Sequence, residues 1–273
     1  MSNALVQRRG GRFTSVLDAE DFFLRDHRIL GHRTLPAAVY VEMARAAVAE
    51  SFEGDAVEQV ELRSIVWPRP LIVDEGQRRL HIDVQLRSDH SAAFEIYNEV
   101  EDSPETRRTV YCRGLAMPSI EPLPPIAIAS LDGAAGHRVP SAHFYERCVA
   151  AGFDYGPAHR AISSITTSPD SVVARLVLPD GLISGASGFV MHPSMFDAAL
   201  QTTQLFELDA AVPDAPALPL AIHTLTIARR TAAVMWAVAH RTSPSLANIE
   251  IYDAGGTAVA RIGGYRTRTR PRE

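Results

Sequence analysis

The chain has 273 residues, 46% hydrophobic and 22% charged, with a formal net charge of −5, which suits one large domain or two of about 130 residues each. That charge and a pI near 6.1 disfavour a general nucleic-acid or anionic-membrane surface. No apolar signal core opens the chain, no run of about 18 apolar residues could span a membrane, and two cysteines, Cys112 and Cys148, exclude a disulfide scaffold or a zinc cluster.

Arg8-Arg9 and the arginines from Arg266 to Arg272 read as solvated ends. The expected compartment is a reducing cytoplasm. The first chemically suggestive stretch is His27-Arg-Ile-Leu-Gly31-His-Arg-Thr-Leu-Pro36. A side chain that titrates near neutrality precedes a glycine turn. Pro36 then opens the alanine-rich run Ala37–Ala47, which predicts a helix. A helix N-terminus offers unpaired N–H groups to developing negative charge. This pattern suits proton abstraction beside a carbonyl, with backbone donors near Gly31 or the helix start steadying the anion. His32 reads as a loop residue. Apolar–polar alternation predicts strands at 60–67, 80–86, 93–97 and 109–114.

Proline between Met117 and Pro140 resists both helix and central strand. Residues 118–140 therefore read as a linker between an N-terminal unit, 1–117, and a C-terminal unit, 141–273. In the second unit, Gly152-Phe-Asp-Tyr155-Gly156-Pro157 is turn chemistry. It can present the Tyr155 hydroxyl to a carboxyl or to substrate. His192-Pro193-Ser-Met-Phe-Asp197-Ala-Ala-Leu-Gln201 opens a second proline-led helix, predicted to continue to Phe206. Asp197 and Gln201 stand four apart and share a face, so Gln201 can fix the carboxyl rotamer. Apolar flanks predict that desolvation raises the Asp197 pKa against the pull of the helix start. The carboxyl is then partly protonated and able to act as a general acid. Val190, Met191 and Phe196 are expected to line a tunnel. His192 reads as structural, bonding backbone ahead of its helix. His159 and His223 read as satisfied histidines of the core or its rim. Further strands are predicted at 225–228, 234–239, 248–252 and 258–262.

Both predicted helices are apolar around most of their circumference and want burial on nearly all sides. One antiparallel sheet wrapped around each helix supplies that, giving an α+β class. Pro36 and Pro193 lie 157 positions apart. The same shift sets Ser184 against His27 and Tyr40 against Asp197, so each unit would supply one group to a shared site.

In chain order the three motifs resemble those of the dehydratase domains of modular type I polyketide synthases. His27, Gly31 and Pro36 match HxxxGxxxxP. Gly152, Tyr155, Gly156 and Pro157 match GxxYGP. His192, Pro193 and Asp197 match HPxxxD, with Gln201 as the often associated glutamine. The resemblance runs from about residue 20 to 265. It implies a double hotdog fold and dehydration of a β-hydroxyacyl thioester carried on the phosphopantetheine of an acyl carrier protein. His27 would remove the α proton, Asp197 would protonate the departing hydroxyl, and Tyr155, Gly156 and Gln201 would orient it. No metal or redox cofactor is implied. The implied partners are the carrier, the other synthase domains and a second copy of the chain, with neither nucleic acid nor membrane. Two departures stand out: Ala37 where glycine is common, and His159 where an aromatic such as phenylalanine is usual. Relatives that shift a double bond often replace the aspartate, so Asp197 favours dehydration. The alternatives are dehydration followed by oxa-Michael ring closure, double-bond isomerisation, and a non-catalytic carrier-binding hotdog.

Overall fold

The computed structural model describes residues 11–52, 60–100, 107–118, 122–133, 135–208 and 215–269. The first half begins with strand β1 (Arg12–Asp18), the short helix α1 (Phe22–Arg25) and a hairpin of β2 (His27–Ile29) and β3 (His32–Arg33). Helix α2 (Ala37–Ser51) follows, then β4 (Val60–Val66), β5 (Gln77–Leu86), β6 (Ala92–Val100) and β7 (Arg107–Pro118). Next come α3 (Ile128–Asp132), β8 (His137–Val139), α4 (Ser141–Ala150), β9 (Phe153–Tyr155), β10 (Ile162–Thr167) and β11 (Ser171–Val177). The chain closes with α5 (Pro193–Gln201), α6 (Leu205–Leu208), β12 (Ala217–Ile227), β13 (Val234–Ser243), β14 (Leu246–Asp253) and β15 (Ala258–Thr269).

Among the described residues twelve strands form one antiparallel sheet, ordered β1-β5-β6-β7-β4-β12-β15-β14-β13-β11-β10-β8. The two expected sheets are thus a single surface. They fuse where β4 pairs β12, with Leu62 opposite Leu225. The first five strands curve around α2, and the remaining seven around α5. All nine residues of α5 are buried, and ten of the fifteen in α2. Ala38 and Ala44 of α2, and Ala198 and Ala199 of α5, are fully buried. Small side chains at these positions let the sheet close on the helices, and α2 and α5 pack on each other at the seam. Each fully buried large apolar side chain, such as Leu62 or Ile96, stabilises the fold by about 1.5–3 kcal/mol.

A second sheet, β3-β2-β9, also joins the halves. His27 lies opposite Tyr155, and Ile29 opposite Phe153. The histidine and tyrosine motifs are therefore neighbouring strands.

Three expectations need correction. The stretch 118–140 is not a bare linker: α3 lies within it, and β8 adds to the sheet by pairing with β10. Proline resists central strands, but β8 is an edge strand free of it. The arginines Arg266 and Arg268 are part of β15, paired with β12; Arg8, Arg9, Arg270 and Arg272 lie outside the described residues. Ser184 sits exposed in a 3-10 segment, not opposite His27. The internal repeat holds for the helices and fails for this connection.

Candidate active site

A cavity of about 490 Å³ opens at the junction of the halves. His27, Thr34, Ala37 and Tyr40 line it from the first half; Tyr155, Asp197, Gln201 and Gln204 line it from the second. The histidine and the aspartate, 170 positions apart in the chain, thus face one chamber.

His27 is buried and its Nδ1 lies 2.7 Å from the carbonyl oxygen of Thr34. A carbonyl only accepts, so Nδ1 carries the proton and Nε2 keeps its lone pair. Burial pushes the imidazole pKa down to about 4, against the pull of the Asp197 charge. His27 is therefore a neutral base near neutrality.

Asp197 sits one turn into α5. Its Oδ2 accepts from Gln201 Nε2 at 2.8 Å and from His159 Nδ1 at 3.0 Å. Desolvation raises its pKa, as its apolar flanks predicted. The bond from His159, the electrostatic contributions of His27 and His159, and the bond from Gln201 together outweigh it. The carboxyl is held below its usual range, a correction to the expected half-protonated acid. The cause is His159: it is fully buried and bonded to the carboxylate, not a bystander of the core.

The remaining expected residues divide. Gln201 does fix the Asp197 rotamer. Tyr155 lines the cavity, but its hydroxyl accepts from Gln204 Nε2 at 2.7 Å rather than meeting the carboxyl. Gly31 is exposed at the tip of the β2–β3 hairpin with φ +86° and does not line the cavity. Gly156 donates its N–H to the Asp26 carbonyl oxygen at 2.7 Å, and a Cβ there would collide with Asp26. Neither glycine offers an N–H to substrate; both shape turns. The start of α2, where Ala37 lines the cavity, is the donor-rich wall that remains.

Val190, Met191 and Phe196 do not line the chamber; Met191 and Phe196 are fully buried in the core. The walls come instead from Trp67, Pro68, Leu218 and Pro219 near the β4–β12 seam. His192 does cap its helix, Nδ1 accepting from Ser194 N at 3.2 Å. His32 is an exposed strand residue bonded to Asp74, and His223 is exposed.

Two positioning residues escaped the sequence reading. Asp26 accepts from Ala158 N at 2.9 Å and so clamps the Tyr-Gly-Pro turn to the histidine strand. Glu42 of α2 accepts from the N–H groups of Val190 and Met191, both at 2.9 Å, just ahead of the aspartate helix. Asp26 directly precedes the histidine motif, and that position was its one sequence cue. Glu42 is an acidic residue in an otherwise apolar helix face, and that was its own.

Two family models match the chain: the polyketide synthase dehydratase domain over residues 2–99, and the polyketide synthase dehydratase N-terminal domain over residues 127–273. A trans-AT polyketide synthase dehydratase domain from Brevibacillus brevis is 30% identical, with 96% of this chain and 94% of that chain covered, at a TM-score of 0.86. The dehydratase domain from the CurF module of curacin polyketide synthase shares the fold at 22% identity and a TM-score of 0.86, covering 99% and 97%. Polyketide synthase PksN of Bacillus subtilis is 31% identical over 94% of this chain, which spans only 5% of that synthase. The chain belongs to the polyketide synthase dehydratase family, whose members dehydrate β-hydroxyacyl intermediates, and it has the family's double hotdog architecture.

Proposed function

We propose that this domain removes water from a β-hydroxyacyl thioester delivered by an acyl carrier protein, with His27 as base and Asp197 as acid. One observation carries the assignment of roles: a neutral imidazole with a free Nε2 and a carboxyl line the same chamber from opposite halves. His27 Nε2 takes the α proton. The electron pair forms the Cα=Cβ bond, the Cβ–O bond breaks, and the hydroxyl leaves as water with a proton from the protonated form of Asp197, the minor form near neutral pH because the carboxyl is held low. Charge building on the thioester oxygen faces the unpaired N–H groups at the start of α2. Proton bookkeeping closes with these two side chains, so no metal or redox cofactor enters the proposal.

The exposed guanidinium groups of Arg69 and Arg268 at the cavity suit the phosphate of a carrier's phosphopantetheine arm. The curated relatives are much longer synthases, which fits work beside other synthase domains. β1 ends the long sheet with one edge unpaired among the described residues, a surface suited to a second copy. No helix among the described residues is long and apolar enough to cross a membrane. The two buried, free thiols fit a cytoplasmic setting.

The test is incubation with β-hydroxyacyl carrier thioesters of both β configurations, with products identified by mass spectrometry and chromatography. The parent protein is expected to give the linear α,β-unsaturated thioester. His27→Ala and Asp197→Asn are expected to lower turnover by at least ~10²-fold while staying folded. Full turnover in the His27→Ala protein would refute the roles, and a cyclic product from a substrate with a distal hydroxyl would extend the reaction to ring closure.

A further inference from the structure

His159 is fully buried and does not line the cavity; it hydrogen-bonds Asp197, and its ring centroid lies 5.1 Å from that of His27. Its Nδ1 and Gln201 Nε2 both donate to the same carboxylate oxygen, Oδ2. The second N–H of Gln201 is held by the carbonyl oxygen of His159 at 3.1 Å, which also settles the orientation of that amide. One residue thus fixes the carboxyl twice, by its ring and through the glutamine. With both acceptor sites of Oδ2 occupied, a proton there would displace a donor. No hydrogen bond from a described residue reaches Oδ1.

We propose that His159 is a positioning residue: by donating its Nδ1–H to Oδ2, it makes Oδ1 the atom that holds the proton delivered to the departing hydroxyl. The inference rests on the acid role given to Asp197 above. The elimination balances as follows. Asp197 gives the Oδ1 proton to the leaving oxygen and becomes the carboxylate that His159 and Gln201 already stabilise. His27 gains the α proton, and solvent exchange returns the pair to its starting state. His159 keeps its Nδ1–H on Oδ2 throughout.

The groups facing Asp197 are His27 from β2, Tyr155 from β9, Tyr145 from α4 and His159 from the turn after β9. Those facing His159 are Asp26, His27 and His192. Burial alone would favour the neutral carboxyl, and the two donors oppose it. His159→Phe keeps a ring in the space and removes one donor. The carboxyl then loses its proton at higher pH.

The experiment is the pH profile of kcat for dehydration by the parent, His159→Phe and His159→Asn proteins, each checked for folding. The asparagine amide can replace the Nδ1–H donor. The phenylalanine variant is expected to move the limb that Asp197 sets upward by about one unit, with KM nearly unchanged, and the asparagine variant to stay near the parent. An unmoved or lowered limb in the phenylalanine variant, or the same displaced limb in both variants, overturns the proposal. A second measurement needs no variant: ¹⁵N spectra of the folded parent are expected to show a proton on Nδ1 of His159, hydrogen-bonded to Asp197. An unprotonated Nδ1 overturns it. An active Asp197→Asn protein would sink the acid role, while the ¹⁵N spectrum reads the hydrogen bond independently.

Discussion

His27 and His192 both lie buried and neutral, and they use Nδ1 in opposite senses. His27 donates from Nδ1 to Thr34, whereas His192 accepts at Nδ1 from Ser194. Burial lowers both to about 4. The sign of the linkage follows. The unfolded chain protonates each histidine near 6.5, the folded chain only near 4, so between those values the unfolded state holds more protons. The stability is full above about pH 6.5 and is lost as pH falls toward 4, by about 3 kcal/mol per histidine. Asp197, held low, loses its contribution only below the ordinary carboxylate range. The unfolding midpoint is therefore expected to fall between pH 6.5 and 4.5, read by thermal melts. His192→Asn keeps a capping acceptor without the titration and is expected to make the decline shallower. An equally steep decline would show that His192 does not titrate there. At this scale the sequence carried the base, the acid and Gln201 through their spacing. It could not show His159 on Asp197, because they lie 38 positions apart and only the packing of the turn after β9 against α5 joins them.

The β2–β3 hairpin that presents His27 turns through Leu30 at φ +52° and Gly31 at φ +86°. Two successive positive φ values mark a type I′ turn, whose twist suits a two-residue hairpin. Glycine adopts that conformation freely, while leucine is strained there by about 1 kcal/mol. Nothing lies within 4 Å of a Cβ placed on Gly31, so substitution there meets backbone cost alone. Gly31→Ala is expected to destabilise by about 1 kcal/mol, measured by urea unfolding; a neutral result would refute the turn assignment. Leu30→Asn is expected to stabilise by about 0.5 kcal/mol, net of the contact that the Leu30 side chain makes over Gly152. The motif glycine therefore acts as a turn former and not as an anion donor, a distinction that spacing alone does not carry. Other elements were legible where alternation was clean, as in β5 and β14. β10, Ile-Ser-Ser-Ile-Thr-Thr, is too polar and short to announce itself. α4 buries Phe144, Tyr145 and Cys148 on one face and was hidden by the proline-rich stretch before it.

The active site exists only because the two halves meet, and three of the ties that hold that meeting stand out. β4 pairs β12, β2 pairs β9, and Glu42 of α2 holds the backbone ahead of α5. Glu42 is also paired with Arg45 at 2.8 Å. Glu42→Ala would leave two backbone donors and a largely buried guanidinium without their partner. The expected cost is about 3 kcal/mol, with a fall in kcat as α5 shifts Asp197 relative to His27; unchanged stability and turnover would deny it that role. The division into two helix-and-sheet units was readable from two proline-led apolar helices, each with its run of strands. The fusion into one sheet was not, because β4 and β12 look like ordinary edge strands until they find each other. Division of the chain within 118–140 tests how far the halves depend on this seam. Each fragment keeps one catalytic group and exposes a long strand edge, β4 in one and β12 in the other, with apolar Leu62 and Leu225 beside it. Each is expected to associate nonspecifically on size-exclusion chromatography and to lack turnover alone. Co-expressed fragments are expected to recover activity only in proportion to the pair that co-elutes at the size of the intact domain. Dehydration by either fragment alone would show that one half holds a complete site.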